Sequence, residues 1–258
     1  MKVRLDKLIV QRGVAASRER AQALVLAGRV LVNEQKVEKA GASVDEEAVL
    51  RLLGDEMPYV SRGGLKLARA IEHWHVDVQG KVCMDIGAST GGFTDCLLQH
   101  GAAQVLAVDT GYGQIDMKLR NDPRVRLLEK TNARYLTAEQ VWPGDSPREA
   151  IGMVVMDVSF ISATLVLPAV VQCVRVASRE FELVVLVKPQ FEVGRERIGK
   201  GGIVREPEAH QLAVQRVSAT VAELGGSEVE VIESPILGAE GNREFLLRAR
   251  FCDRDAGR

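Results

Sequence analysis

The stretch Val82–Thr94, with the sequence VCMDIGASTGGFT, decides the fold of this chain. An apolar run typical of a buried strand comes first, glycines follow at Gly87, Gly91 and Gly92, and a helix is predicted to begin near Phe93. In an open α/β sheet, ligands bind where such a strand ends and the next helix begins. The stretch therefore predicts a ligand-binding turn at the carboxyl edge of a parallel sheet.

The pattern of this stretch repeats along the chain, as short apolar runs separated by helical material. The runs are Val82–Ile86, Val105–Val108, Val125–Leu128, Met153–Met156, Leu183–Val187, Val229–Glu233 and Phe245–Arg250. Strands that alternate with helices predict a doubly wound α/β sheet that is mostly parallel. The last strand is expected to be antiparallel, because that direction brings Glu244 to the same edge as the glycine turn. The pattern begins at Tyr59, so we expect one domain over residues 1–58 and a second over residues 59–258.

The first domain is predicted to be small and α+β. Two short helices fill residues 4–31, with Ser17 as an N-cap and Gly28 just after the second helix. Strand material begins at Val30, another strand is predicted over Val44–Leu53, and Asp55–Pro58 is interpreted as a linker.

Charge is concentrated at the N-terminus. Residues 1–39 hold nine Lys and Arg against four Asp and Glu, although the whole chain has a formal net charge of −1. A local basic patch on a neutral protein indicates nucleic-acid binding. A solvated helix face explains the same charges equally well.

The composition excludes other classes of protein. A net charge of −1 excludes a uniformly basic nucleic-acid coat protein, and four scattered cysteines form neither a disulfide framework nor a zinc knuckle. No metal-ligand cluster is evident, so no metal is expected. Charged residues interrupt any signal peptide, and no apolar stretch approaches the roughly 18 residues of a membrane span. We therefore expect a soluble, cytoplasmic protein without a membrane partner.

The glycine turn favours a particular kind of ligand. It has the pattern D-x-G-x-x-x-G-G instead of the G-x-G-x-x-G of dinucleotide sites, and its acid, Asp85, would repel a diphosphate. An acid there suits an amino-acid head group, and Asp109 ends the next strand, where nucleotide-binding sheets hold a ribose diol. Together they predict S-adenosylmethionine. The alternative is that both acids merely cap turns.

Four further polar residues are predicted to meet at this edge. Asp157 and Lys188 end apolar strands, Glu244 precedes the last strand, and Lys66 lies in the helix before the first strand of the sheet. A lysine after an apolar strand is costly without a partner, and a lysine with a lowered pKa can act as a base. The cluster therefore predicts proton abstraction, with an ion-pair network as the structural alternative. Lys188 is followed by a basic, glycine-rich loop, Gly194–Arg205, which is equally typical of a mobile loop and of one that closes over a phosphate backbone.

Motifs along nearly the whole chain resemble the TlyA/hemolysin A family of rRNA methyltransferases. Residues 4–53 resemble the small RNA-binding domain first described in ribosomal protein S-four, and residues 59–250 resemble an FtsJ-type RNA 2′-O-methyltransferase domain with a Rossmann-like sheet. The matching stretches are RLDK from Arg4, AGRV from Ala27, VSRGGLKL from Val60, DIGASTGGFT from Asp85, DTGYGQ from Asp109, KTNAR from Lys130, DVSFIS from Asp157, VKPQFEVG from Val187 and GAEGNREF from Gly238.

The resemblance implies roles for individual residues. Lys66, Asp157, Lys188 and Glu244 match the catalytic Lys-Asp-Lys-Glu tetrad. The implied cofactor, S-adenosylmethionine, would contact Asp85, Gly87, Ser89, Gly91, Gly92, Phe93 and Asp109, with adenine near Asn132 and Ala133. The implied RNA contacts of the first domain are Arg4, Lys7, Arg18, Arg20 and Arg29.

The expected reaction is methyl transfer to a ribose 2′-hydroxyl, that of a cytidine, in the rRNA of a ribosomal subunit, with the large subunit favoured. Lys188 is the expected base, positioned by Asp157 and Glu244. Three alternatives compete with this reading: a non-catalytic RNA-binding ribosome assembly factor, a hemolysin or cytotoxin, and a nicotinamide-dependent oxidoreductase. The complete tetrad argues against the first, the lack of a membrane-active segment against the second, and the absent G-x-G-x-x-G against the third.

Overall fold

The computed structural model describes residues 2–15, 17–53, 57–144 and 148–252. The chain divides into two compact units, residues 1–57 and residues 58–258. Half of the predicted linker, Asp55 and Glu56, lies outside the described residues.

The N-terminal unit packs two helices against short strands. Its elements are β1 (Lys2–Arg4), α1 (Leu5–Gln11), α2 (Arg18–Leu26), β2 (Val30–Val32), β3 (Gln35–Lys36), β4 (Ser43–Asp45) and β5 (Leu50–Leu52). Ser17 caps α2, where its Oγ accepts a hydrogen bond from the backbone N–H of Arg20 at 3.2 Å, and Gly28 follows with φ of +65°. The cap and the helix end are as the sequence predicted.

The predicted strand over Val44–Leu53 is wrong, because the chain turns in its middle. β4 pairs with β1, whereas β5 pairs with β2 in a different sheet. The side chain of Asp45 accepts a hydrogen bond from the backbone N–H of Glu47, and its carbonyl accepts one from Ala48. An aspartate that bonds the backbone two residues on favours a turn over an extended strand.

The second unit is built on one sheet of seven strands. They are β6 (Val82–Ile86), β7 (Gln104–Val108), β8 (Val125–Leu128), β9 (Ile151–Met156), β10 (Phe181–Val187), β11 (Gly226–Glu233) and β12 (Phe245–Phe251). Their order is β11-β12-β10-β9-β6-β7-β8. The pairs from β10 to β8 are parallel, and β12 lies antiparallel to both of its neighbours. A mostly parallel sheet with an antiparallel last strand confirms the predicted fold class.

Helices cover both faces of this sheet. They are α3 (Gly63–Trp74), α4 (Gly92–Gln99), α5 (Met117–Arg120), α6 (Ala138–Val141), α7 (Ala163–Arg175), α8 (Pro189–Glu192) and α9 (Pro207–Glu223). The apolar sides of α3, α4 and α5 form one buried core with the sheet, and those of α6, α7 and α9 form a second core on the opposite face. Burial of these faces supplies the main free energy that holds the unit together.

The strand directions decide which side chains meet. Parallel strands present their carboxyl ends at one edge, so Asp157 after β9 and Lys188 after β10 emerge together. Because β12 runs the other way, Glu244 emerges at that edge from the strand's beginning. The topology thus delivers residues from distant parts of the chain to one place.

Candidate active site

The glycine turn after β6 brings three backbone segments unusually close. Gly87 has φ of +86°, and a Cβ atom there would lie 2.6 Å from the carbonyl oxygen of Asp157. At Gly92, a Cβ atom would collide with Ser61 and lie 2.9 Å from the backbone nitrogen of Gly64. Only glycine allows these approaches. The turn therefore sets the start of α3 and the end of β9 around a shared space.

Asp85 lies beneath this turn and not in a cavity. Its side chain is fully buried, and its Oδ2 accepts a 2.7 Å hydrogen bond from Thr94 Oγ1. Burial raises the pKa of Asp85 to about 7. The negative charge of Asp157 raises it too, by a smaller amount. Asp85 and Gly91 line neither cavity described below, so the structure does not bring these two predicted cofactor contacts to open space.

Asp109 organises the turn after β7. Its Oδ2 accepts a 2.8 Å hydrogen bond from the backbone N–H of Ser89, and its Oδ1 accepts one of 2.6 Å from Gly111. The carboxylate therefore ties the glycine turn to the turn of the neighbouring strand.

A cavity of about 370 Å³ opens beside Asp109. The predicted cofactor contacts on its wall are Gly87, Ser89, Asp109, Asn132 and Ala133. The segment from Asp157 to Ile161 closes another side, where Phe160 is 91% exposed and has a ring centroid 5.5 Å from that of Phe191. This cavity is the candidate cofactor site, and we call it the cofactor cavity.

A second cavity of about 270 Å³ adjoins the first, and we call it the acceptor cavity. Lys66, Asp157, Lys188 and Glu244 all line it, as do the predicted cofactor contacts Gly92 and Phe93. Gly87, Ser89, Asp157 and Ser159 belong to the walls of both cavities. A molecule in one cavity therefore meets a molecule in the other at these residues.

The four charged residues of the acceptor cavity form two separate ion pairs. Lys66 Nζ lies 2.5 Å from Glu244 Oε2, and Lys188 Nζ lies 2.6 Å from Asp157 Oδ1. Both lysines are more than nine-tenths buried, and so is Glu244. Sequence reasoning expected both carboxylates to position Lys188. The structure gives each lysine its own carboxylate instead.

Sequence reasoning missed the second partner of Lys188. Its Nζ donates a 2.6 Å hydrogen bond to Ser159 Oγ, two residues after Asp157. The loop after β9 therefore holds Lys188 with two oxygen atoms. The sequence contained a sign of this contact, because Ser159 stands only two residues after Asp157, a predicted site residue at the end of its strand. Chemically, the arrangement fixes an amine in the acceptor cavity against Asp157 and Ser159, two of the residues that line both cavities.

The predicted RNA contacts of the N-terminal unit fall into two groups. The buried carboxylate of Asp6 accepts hydrogen bonds from Arg4 Nη2 at 2.9 Å and from Arg18 Nε at 3.0 Å, which leaves both guanidinium groups about half exposed. The Nε of Arg29 instead donates to the carbonyl oxygen of Leu53. Lys7 and Arg20 are also exposed. The Asp6 carboxylate therefore presents two fixed cations to solvent.

The described residues include neither a metal-binding cluster nor a membrane-spanning helix. Among residues 2–15, 17–53, 57–144 and 148–252, no group of three or more His, Cys, Asp or Glu side chains could hold a metal ion. Over the same part of the chain, no helix is both long enough and apolar enough to cross a bilayer.

The doubly wound sheet and the joined cavities at its carboxyl edge define a Rossmann-like enzyme with adjoining cofactor and acceptor sites. A family model described as FtsJ-like methyltransferase matches residues 59–251, and an S4 domain model matches residues 3–50. The chain belongs to the FtsJ-like methyltransferases and, within them, to the TlyA/hemolysin A family. FtsJ-like methyltransferases use S-adenosylmethionine.

Named relatives cover almost the whole chain. The 16S/23S rRNA (cytidine-2′-O)-methyltransferase TlyA of Mycobacterium tuberculosis is 45% identical over 250 residues, which are 96% of this chain and 90% of the relative. Hemolysin A of Brachyspira hyodysenteriae is 40% identical over 244 residues, 95% of this chain and 98% of the relative. A solved structure of a candidate hemolysin from Streptococcus thermophilus is 42% identical, with a TM-score of 0.73, covering 98% of this chain and 89% of that one.

Proposed function

We propose that this chain transfers a methyl group from S-adenosylmethionine to the ribose 2′-hydroxyl of a cytidine in ribosomal RNA. The observation that carries the proposal is the pair of adjoining cavities with four wall residues in common. A donor in the cofactor cavity and a ribose in the acceptor cavity would meet beside Lys188 and Asp157. The M. tuberculosis relative, named for this reaction at cytidine, supports the choice of acceptor.

The cofactor cavity fits the proposed cofactor. The glycine cradle at Gly87 and Ser89 admits a close ligand, and Asp109 at the end of β7 suits a ribose diol. Asn132 and Ala133 would contact the adenine. Asp85 lies beneath the turn, so it would affect the cofactor indirectly, through its charge and through the shape that it gives the turn. When bound, S-adenosylmethionine supplies an electrophilic methyl group.

The residues of the acceptor cavity would align and activate the hydroxyl. Lys188, fixed by Asp157 and Ser159, orients the 2′-hydroxyl, and its Nζ is the proposed acceptor of the hydroxyl proton. Lys66, held by Glu244, binds the neighbouring phosphate. Fixed alignment of reacting groups is a large source of rate, so these contacts matter more than any single charge.

The N-terminal unit would hold the RNA. We assign residues 1–58 to RNA binding and residues 59–258 to catalysis. The exposed cations Arg4, Lys7, Arg18 and Arg20, with Arg29, would contact phosphates and read shape. The target nucleotide would leave its stack to enter the acceptor cavity. The proposed partner is the large ribosomal subunit, and the proposed compartment is the cytoplasm.

Transfer of a tritiated methyl group to separated, unmodified ribosomal subunits tests this function. Alkaline hydrolysis follows, because a 2′-O-methyl group leaves an uncleaved dinucleotide. We expect label in alkali-resistant dinucleotides of the large subunit, and none with Lys188→Ala, which should still bind the cofactor. Label in mononucleotides would mean base methylation and would overturn the assigned roles. Cofactor binding without transfer to either subunit would favour an assembly factor.

A further inference from the structure

The loop Gly194–Arg205, which we call the basic loop, has a net positive charge, and none of its charged residues lines the cofactor cavity or the acceptor cavity. It carries four cations, Arg195, Arg197, Lys200 and Arg205, and one acid, Glu196, and all five side chains are exposed. None of the four cations forms an ion pair or a hydrogen bond with another side chain of the described residues. Exposed cations without internal partners remain available to an external anion.

The basic loop is fastened to the segment that carries Glu244. Asn242 is fully buried, and its Oδ1 accepts a 2.9 Å hydrogen bond from the backbone N–H of Val204. Its Nδ2 donates a 3.0 Å hydrogen bond to the carbonyl oxygen of Gly202. A buried side-chain amide that hydrogen-bonds two backbone groups of the same loop holds that loop in one conformation. Asn242 stands two residues before Glu244, which lines the acceptor cavity.

Other contacts hold the ends of the loop. Its first residue follows Lys188 by six positions, with only the single turn of α8 between them. Near its other end, Nε2 of the buried His210 lies 2.9 Å from the carbonyl oxygen of Val204. The loop therefore begins shortly after Lys188 and is hydrogen-bonded to the segment before Glu244. Both of these segments supply residues to the acceptor cavity, and no residue of the loop itself lines it.

We propose that the basic loop is a docking surface for the backbone phosphates of RNA next to the target nucleotide. This inference rests on the proposed function, because it needs a ribose in the acceptor cavity. A strand that delivers its ribose there continues past the cavity, and the four exposed cations of the neighbouring basic loop complement its charge. Backbone contacts of this kind orient an RNA without reading its sequence.

A matched pair of double variants tests the proposal. Arg195→Ala/Arg197→Ala removes two cations of the basic loop, and Lys81→Ala/Arg148→Ala removes two from before β6 and β9, at the opposite edge of the sheet. The affinity for unmodified large subunits is measured over a salt series, with kcat and the cofactor Kd alongside. Each variant has the same change in net charge.

For the basic-loop pair, we expect subunit affinity to fall on the order of tenfold at 0.15 M salt, as two phosphate contacts are lost. The salt slope should fall by about 0.7 to 0.9 for each lost contact. The kcat at saturation and the cofactor Kd should stay at wild-type values, and the control pair should change affinity less than about twofold. An unchanged slope in the basic-loop pair, or equal losses in both pairs, would overturn the docking surface. If wild-type protein transfers no methyl group to RNA, the proposed function fails instead, so the two failures are distinguishable.

Discussion

Lys66 and Glu244 stand 178 positions apart in the chain, yet Lys66 Nζ lies 2.5 Å from Glu244 Oε2. Only about a tenth of the lysine side chain and 3% of the glutamate side chain are exposed. The pair joins α3 to the beginning of β12 across the edge of the sheet. Each charge is tolerated inside the protein because the other neutralises it.

Loss of one partner should therefore cost stability as well as activity. Lys66→Met leaves the carboxylate of Glu244 buried without a counter-charge, and we expect the free energy of unfolding to fall by about 3–5 kcal/mol. Lys66→Met/Glu244→Gln removes both charges and should recover most of that loss, while methyl transfer stays absent. Urea unfolding and the transfer assay measure the two effects on the same proteins. A single variant as stable as wild type would mean that the pair does not hold the fold together.

The sequence allowed us to predict which residues gather at the edge of the sheet, because strand ends determine their positions. Asp157, Lys188 and Glu244 each adjoin a strongly apolar run, so a parallel sheet with an antiparallel last strand had to gather them at one edge. Pairing within the cluster was not predictable, because it depends on side-chain paths between elements. Glu244 was therefore expected beside Lys188, and it lies beside Lys66.

Asp85 marks another limit of sequence reasoning. Its place at a strand end suggested a ligand contact, but successive side chains of a strand point to opposite faces, and this one is buried beneath the turn. The buried Asn242 was missed for a related reason. An isolated polar residue in a loop gives no sign that its partners lie about 40 positions away.

Asp85 should make stability depend on pH. Burial raises its pKa from 3.8 to about 7, so the folded protein holds a proton that the unfolded chain has already lost between those values. The penalty for ionising the buried group is therefore absent below pH 4, grows as pH rises toward 7, and is complete above it. Asn cannot ionise, and its Oδ1 can still accept the hydrogen bond from Thr94. We expect Asp85→Asn to gain stability relative to wild type at pH 8 compared with pH 5. A difference between the two proteins that is the same at both pH values would refute this cause.

Asp6 should have the opposite pH dependence in the N-terminal unit. The hydrogen bonds from Arg4, with those from Gln22 and Arg18, hold the pKa of its carboxyl well below the usual range. Its contribution to stability is therefore present above pH 4 and is lost as pH falls further. Asp6→Asn should weaken hydrogen-exchange protection of residues 2–53 already at pH 7 and lower RNA affinity, because Arg4 and Arg18 lose their fixed position. Cofactor affinity should not change. Wild-type RNA affinity in this variant would show that the carboxylate does not prepare the two arginines for RNA.

Glu192 should act as a positioning residue through its hydrogen bonds and not through its charge. Its buried carboxylate accepts hydrogen bonds from Ser162 Oγ at 2.5 Å and from the backbone N–H of Ala163 at 2.7 Å, so it joins the segment after Lys188 to the start of α7. The segment between Asp157 and α7 also carries Ser159, which holds Lys188. Burial raises the pKa of Glu192, and the hydrogen bonds from Ser162 and Ala163 act in the opposite direction because they favour the charged form.

Two substitutions separate the bonds from the charge. Glu192→Gln keeps an acceptor for Ala163 and gains a donor for Ser162, so kcat and stability should remain near wild type. Glu192→Ala removes both bonds and should lower the free energy of unfolding by about 1–3 kcal/mol and reduce kcat, with the exposed Glu223→Ala as a control. Unfolding curves and kcat at saturating cofactor and subunit measure both. If Gln proves as damaging as Ala, the negative charge itself is required, since the amide would preserve the connection between the two segments.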